Sequence, residues 1–279
     1  MNRSLGTIGL SLLAALGWGV ADFSGGLATR KASAFGVVVI SQMISVPLVG
    51  LLILFVPEPS LSVQDCLWAA AAGMGGGLGL AAFYAALARG RMALTAPVSA
   101  VLGASMPVVF GIITEGLPTP LQLIGFGLAL VGIWLVSNPS GPGGPPGWLG
   151  LALVAGVGFG MFFICIDHVG EGAVFVPSLF TRLGSLLLLM GIVIARRQPW
   201  LPGKAAMPIV ALAGVFDVAA NILYIAATQH GRLDIATIIG SQYPAVTVIL
   251  AAILLKERLA SLQAVGVGAI LLANVLIAL

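Results

Sequence analysis

Apolar residues run through this chain in long stretches that do not alternate, separated by short clusters of charge, proline and glycine. Ten stretches, at 5–27, 34–56, 66–88, 92–114, 120–138, 147–167, 174–195, 205–228, 233–255 and 261–279, match the roughly 20 residues that carry a helix across a hydrocarbon core of about 30 Å. Barrel strands would be about 10 residues long and would alternate. The pattern therefore predicts an all-α polytopic membrane protein with ten transmembrane helices.

The stretches repeat. GLSLLAALGWG at Gly9 to Gly19 returns as GLALVAGVGFG at Gly150 to Gly160, a displacement of 141 positions that also pairs Gly73 with Gly214, Gly90-Arg91 with Gly231-Arg232, and Gln122 with Gln263. Between the copies, Asn138 to Pro146 reads NPSGPGGPP, through which no helix can run. Two homologous halves follow, 1–138 and 147–279, joined by a Pro/Gly hinge at 139–146. Each half holds five spans, and an odd number turns the second half over, which predicts two inverted five-helix repeats. Arg3 and the apolar run from Leu5 to Val20 resemble a secretory signal, but their counterpart lies in mid-chain, so the first segment is expected to be a permanent span.

Composition agrees with a bilayer: 59% hydrophobic residues, 8% charged residues and a mean hydropathy of +1.14 leave too little polar surface to cover a soluble globule. A net charge of +3 on so few charges gives no basis for nucleic-acid binding. Cys66 and Cys165 stand alone, without a CxxC or Cys/His cluster, so neither a metal nor a cofactor is expected.

The charges also orient the chain. Connections after the odd-numbered spans carry Arg30, Lys31, Arg89, Arg91, Arg196, Arg197, Lys204, Lys256 and Arg258, nine of the twelve basic residues. The other side has Arg3 and Arg232 among the acidic residues Glu58, Asp65, Glu115, Asp167 and Glu171. By the positive-inside rule the basic side is cytoplasmic, which places both termini in the periplasm of an inner-membrane protein.

Polar groups inside spans carry the functional signal, because a charge at mid-membrane costs on the order of 3 kcal/mol even on the mildest insertion scale. Asp22, Arg182 and Asp217 are such groups. Asp217, Asn221, Tyr224 and Thr228 follow helical spacing and form one stripe on the eighth span. Arg182 has two candidate partners, Asp217 and Asp22, and either fixes the bundle as a structural ion pair or lines a cavity. Pro97 and Pro107 in the fourth span and Pro244 in the ninth predict interruptions, or hinges, at corresponding places in the two halves. Superposing the halves through the 141-residue displacement draws Trp18, Tyr84, Ser99, Phe159, Phe163, Tyr224, Ser241, Gln242 and Tyr243 toward one central cavity, which Asp22, Asp217 and Asn221 would join. The run GMGGGLG at Gly73 to Gly79 lacks the Lys-Ser/Thr of a phosphate-binding loop and reads as close helix packing.

ATIIGSQYPAVTVILAAILLKERLASLQAVGVGAILLANVLI, from Ala236 to Ile277, resembles the last two helices of the EamA-type transporters of the drug/metabolite transporter superfamily. Pro244, Glu257, Gln263 and Gly266 carry that likeness, and Trp18-Gly19 and the five-plus-five organisation are similar too. Size and aromatic placement are similar to the YddG-type amino acid exporters. The resemblance implies a secondary transporter, not an enzyme, that moves a small molecule by alternating access and exports metabolites, large neutral or aromatic amino acids first among them. A coupled proton is a possible partner in that cycle. The alternative is a proton-coupled exporter of cationic drugs, with Asp22 or Asp217 as the membrane carboxylate that proton and cation share. No GxSxG or HExxH motif offers a third, enzymatic reading, and neither His168 nor His230 has a nucleophile or ligand partner at local spacing.

Overall fold

The computed structural model describes residues 3–88, 92–136, 148–254 and 261–278. The proposed hinge at 139–146 and the basic residues Arg89, Arg91, Lys256 and Arg258 lie outside these residues, as does Glu257. The described chain is helical throughout: α1 Arg3–Ala28, α2 Ala34–Phe55, α3 Val63–Ala88, α4 Met92–Glu115, α5 Pro120–Val136, α6 Trp148–Asp167, α7 Phe175–Arg196, α8 Met207–Thr228, α9 Leu233–Gly240, α10 Tyr243–Leu254 and α11 Ser261–Ala278. Six of them, α1 to α3 and α6 to α8, are long and apolar enough to cross a membrane, while α4, α5 and α11 contribute shorter apolar stretches. The protein is a polytopic helical bundle.

Local chemistry sets the helix ends. Ser62 and Asp65 form a reciprocal capping box at α3, with Asp65 N donating to Ser62 Oγ at 3.1 Å and Ser62 N to Asp65 Oδ2 at 3.1 Å. Thr119 and Gln122 do the same at α5, where Pro120 fills the first position.

The 141-residue displacement reappears in the helix starts: Ala34 and Phe175, Met92 and Leu233, Pro120 and Ser261 are each one displacement apart. Packing obeys it as well. α1 lies on α8 as α6 lies on α3, α2 faces α7, and α5 faces α11. Glycines make these crossings close: a Cβ on Gly17 would come within 2.9 Å of Ala220, and one on Gly158 within 2.7 Å of Gly79, two contacts related by the same displacement.

Connections gather at two ends. Asp65 accepts from Gly170 N, Glu58 from Val174 N, and Arg232 donates to Gly116 O, while Gly6 at the start of α1 lies beside His230. The start of α1 and the α2–α3, α4–α5, α6–α7 and α8–α9 connections therefore share one end, the acidic one. At the other end Ser33 donates to Pro199 O and Gly36 lies beside Trp200, which joins the connection carrying Arg30 and Lys31 to the one carrying Arg196, Arg197 and Lys204. Since α1 begins at the acidic end and α6 finishes there, equivalent helices run in opposite directions. α9 and α10 together make one crossing.

The expected interruption of the fourth span does not occur. α4 runs continuously through Pro97 and the buried Pro107, whereas the chain leaves helical geometry at Ser241 and Gln242, just before Pro244. α4 is pinned to α6 along its length, with Gly103 against Phe159, Leu102 against Gly156 and Met106 against Gly160, and Ser105 Oγ donates back to Val101 O at 2.6 Å. Tertiary contact holds the helix across the lost amide.

Candidate functional site

Where α1, α2, α3, α6, α7, α8 and the start of α10 converge, the bundle leaves a half-open cavity of about 70 Å³, room for roughly five waters. One wall is aromatic. Trp18 stands 5.8 Å from Phe163 and 6.3 Å from Phe162 in edge-on geometry, and 5.4 Å from Tyr224. Tyr224 in turn lies 4.9 Å from Phe163, and its hydroxyl is 2.7 Å from Thr237 Oγ1. These separations lie in the range in which aromatic pairs gain beyond their buried area. Trp18 Nε1 donates to Asn221 Oδ1 at 2.8 Å, which fixes the indole and ties α1 to α8.

The other wall is ionic. Arg182 of α7, with its side chain 2% exposed, pairs with Asp217 of α8, and its Nη1 also donates to Gln42 Oε1 at 2.8 Å. Asp22 lines the same cavity from α1 and is buried. A part-buried pair of this kind stands in the membrane because each charge is matched and hydrogen-bonded. Of the two partners open to Arg182 in the sequence, the structure pairs it with Asp217.

Residues 146–279 match the EamA-like transporter family. The second half of the chain is thus similar to an EamA-like transporter domain. No curated protein matches the chain. A solved structure described as "Crystal structure of protein" is similar in fold over 97% of this chain and 95% of its own, with a TM-score of 0.78 at 15% identity.

Within this bundle, Trp18, Asp22, Phe159, Phe163, Asp217, Asn221 and Tyr243 of the expected site meet at the cavity, and Tyr224 backs its aromatic wall. Phe159 packs edge-on to Tyr243 at 6.4 Å and Phe83 at 6.0 Å. Tyr84 is not in the cavity: its ring covers Gly25 and its hydroxyl donates to Ala21 O at 3.3 Å. Ser99, Ser241 and Gln242 are buried in and beside the α4 and α9 segments, away from the cavity lining. Among the polar and aromatic lining groups, Gln42, Phe162, Thr181 and Ser185 are not foreseen in the sequence. Gln42, an amide within an otherwise apolar span beside Ser41 and Ser45, carried the signal that would have found it.

A second, more open cavity of about 480 Å³ lies at the acidic end, lined among others by Glu115, Glu171, His230 and Arg232. Here Arg232 Nη2 donates to the fully buried Asp234 at 2.7 Å and to Gly116 O at 2.7 Å, while Glu115 Oε1 accepts from Leu233 N at the start of α9. Glu115 and Arg232 therefore brace the α4–α5 and α8–α9 connections. The stripe Asp217, Asn221, Tyr224, Thr228 leads from the central cavity toward this one, where Thr228 appears in the lining.

Proposed function

We propose that this protein is a membrane transporter of the drug/metabolite transporter superfamily that exports small metabolites, large neutral or aromatic amino acids in particular, across the inner membrane by alternating access, with both termini in the periplasm. The observation that carries this reading is the two-faced central cavity: indole and phenyl rings from Trp18, Phe162 and Phe163 on one side, and the Asp22, Asn221 and Arg182–Asp217 groups on the other. Ring faces suit an apolar or aromatic side chain, and paired opposite charges suit a zwitterion. Oppositely running halves give two ends that can open in turn around one site. No nucleotide-binding motif is present in the sequence, so the substrate gradient or a coupled ion such as a proton drives the cycle. The segregation of basic residues at one end supports the orientation.

Labelled phenylalanine, threonine and methionine in proteoliposomes, set against a lipophilic cation, test the substrate class. Amino acid flux with little cation flux is expected; the reverse overturns the reading in favour of a cationic-drug exporter built on Asp22. Trp18→Ala and Tyr224→Ala should lower phenylalanine flux about tenfold, the factor that roughly 1.4 kcal/mol of lost ring contact gives. Wild-type flux in both variants would sink the cavity assignment.

A further inference from the structure

We infer that Arg182 and Ser185 bind the carboxylate of the transported solute, while Asp22 faces its ammonium group, so that the cavity selects zwitterionic α-amino acids over simple cations. This rests on the amino acid reading above and names the groups that enforce it.

The first observation is an unfilled donor. A guanidinium carries five N–H groups. Nη1 of Arg182 serves Gln42 and Asp217, and Nη2 reaches Asp217 O at 3.4 Å, but Nε has no partner among the described residues, although the side chain is 2% exposed. An arginine kept solely as a brace between helices would have its buried donors matched. The second observation lies one turn further along α7. Ser185 Oγ is also buried without a partner, and it lines the same cavity as Arg182. One helix face beside the cavity thus carries a charged N–H and a hydroxyl that have no hydrogen-bond partner among the described residues. An ionised carboxylate is the complement, since it accepts only, and it forms its strongest bonds with guanidinium.

Charge gives a third, independent argument. Asp22, Asp217 and Arg182 are the charged side chains of the cavity lining, two acids and one base. Arg182 matches Asp217, which leaves Asp22 facing the cavity without a cation among the lining residues. A solute ammonium supplies that cation. A simple cation would answer Asp22 and leave the donors of α7 empty; a zwitterion answers both, and an apolar side chain then falls to the Trp18 and Phe163 wall.

Competition for labelled phenylalanine counterflow in proteoliposomes separates these cases. Phenylalaninamide keeps the ammonium and replaces the carboxylate, and 3-phenylpropionate keeps the carboxylate and lacks the ammonium. With the wild type both analogues should compete at least ~10-fold more weakly than phenylalanine, because each leaves buried polar groups of the site unmatched. Ser185→Ala, which leaves the ion pair in place, should weaken phenylalanine severalfold without affecting phenylalaninamide. Arg182→Gln combined with Asp217→Asn, a neutral pair, should abolish the discrimination between the two. Equal competition by phenylalanine and phenylalaninamide on the wild type would overturn the assignment even if no variant folds. So would unchanged discrimination in Ser185→Ala and in the double variant. If the wild type moves a lipophilic cation and no amino acid, the amino acid reading itself fails, a result distinct from both.

Discussion

The two halves share a skeleton and differ in chemistry. Through the 141-residue displacement, Gly17 against Ala220 matches Gly158 against Gly79, and helices that face each other in one half have facing equivalents in the other. Yet Arg182 and Asp217 of the second half stand where the first has Ser41 and Gly76, Glu58 of the first stands where the second has Pro199, and Pro244 stands where the first has Gly103. Small residues at crossings recur because helix approach depends on them, whichever half they sit in. Polar groups need not recur, since a cavity between two halves requires each charge once. Ionic chemistry is therefore loaded on α7 and α8, and the first half opposes it with Asp22, Gln42 and the glycines of α3.

The largest test of that asymmetry is the ion pair. Arg182→Leu leaves Asp217, only 14% exposed, unmatched and should cost about 3 kcal/mol. Adding Asp217→Asn should restore part of the loss. Its first-half counterpart, Ser41→Ala, removes a hydroxyl that donates to Val38 O of its own helix at 2.8 Å and should cost less than about 1 kcal/mol. Melting in detergent reads all three. Equal losses at Arg182 and Ser41 would mean that the halves bear polar load alike, and strictly additive effects at Arg182 and Asp217 would remove the coupling.

The second asymmetry lies at the ends. Glu58 reaches from the α2–α3 connection to the start of α7, where its carboxylate accepts from Val174 N at 2.7 Å, Phe175 N at 2.8 Å and Val176 N at 2.9 Å. An anion there satisfies three orphan amides and meets the positive end of the helix dipole. At the equivalent place in the other half, Ser33 caps its own helix by accepting from Gly36 N at 3.1 Å and donates to Pro199 O at 2.7 Å. Glu58→Ala should therefore cost about 1–2 kcal/mol and Ser33→Ala about 1 kcal/mol or less. If the halves rock, the stronger tie keeps the acidic end shut. In a cysteine-free background, maleimide labelling of Ala173→Cys, a buried site beside this tie, should rise when Glu58 is replaced and stay low when Ser33 is. Equal labelling in both would show that the two ends are held alike.

Helix positions were readable from hydropathy because burial in lipid leaves long apolar runs with ends marked by polar caps; every described span lies within three residues of its expected bounds. Inversion was readable from the parity of the spans and from charge. The cavity was readable where charge or aromaticity breaks an apolar span, as at Trp18, Asp22, Asp217 and Asn221. It was not readable where helix rotation decides the outcome: Tyr84 and Phe159 occupy equally apolar spans, yet one ring turns onto Gly25 and the other lines the cavity. Glu58 was hidden for another reason. Its partners are main-chain amides 116 to 118 positions away, and no local pattern announces such a cap.

The smallest expected effect concerns the break between α9 and α10, and it asks whether one residue or its surroundings sets the third asymmetry. Proline lacks the amide that would bond the carbonyl four residues back, and its ring crowds that carbonyl. For Pro244 that carbonyl belongs to Gly240, the last residue of α9, so the break falls where the missing bond would be. For Pro107 it belongs to Gly103, where α4 continues against Phe159 and Gly156 of α6. Pro244→Ala should let α9 run into α10, raising hydrogen-exchange protection of the amides at 241 to 244 while shifting stability by less than about 1 kcal/mol, because the first turn of a helix tolerates proline. Pro107→Ala should leave the exchange pattern of α4 unchanged, since that helix is already continuous. Should Pro244→Ala instead leave protection at 241 to 244 unaltered, the break is held by Gly240 wedged against Trp18 and Tyr224, where an added Cβ would come within 3.2 Å of the indole. The interruption would then belong to the aromatic wall of the cavity and not to the proline.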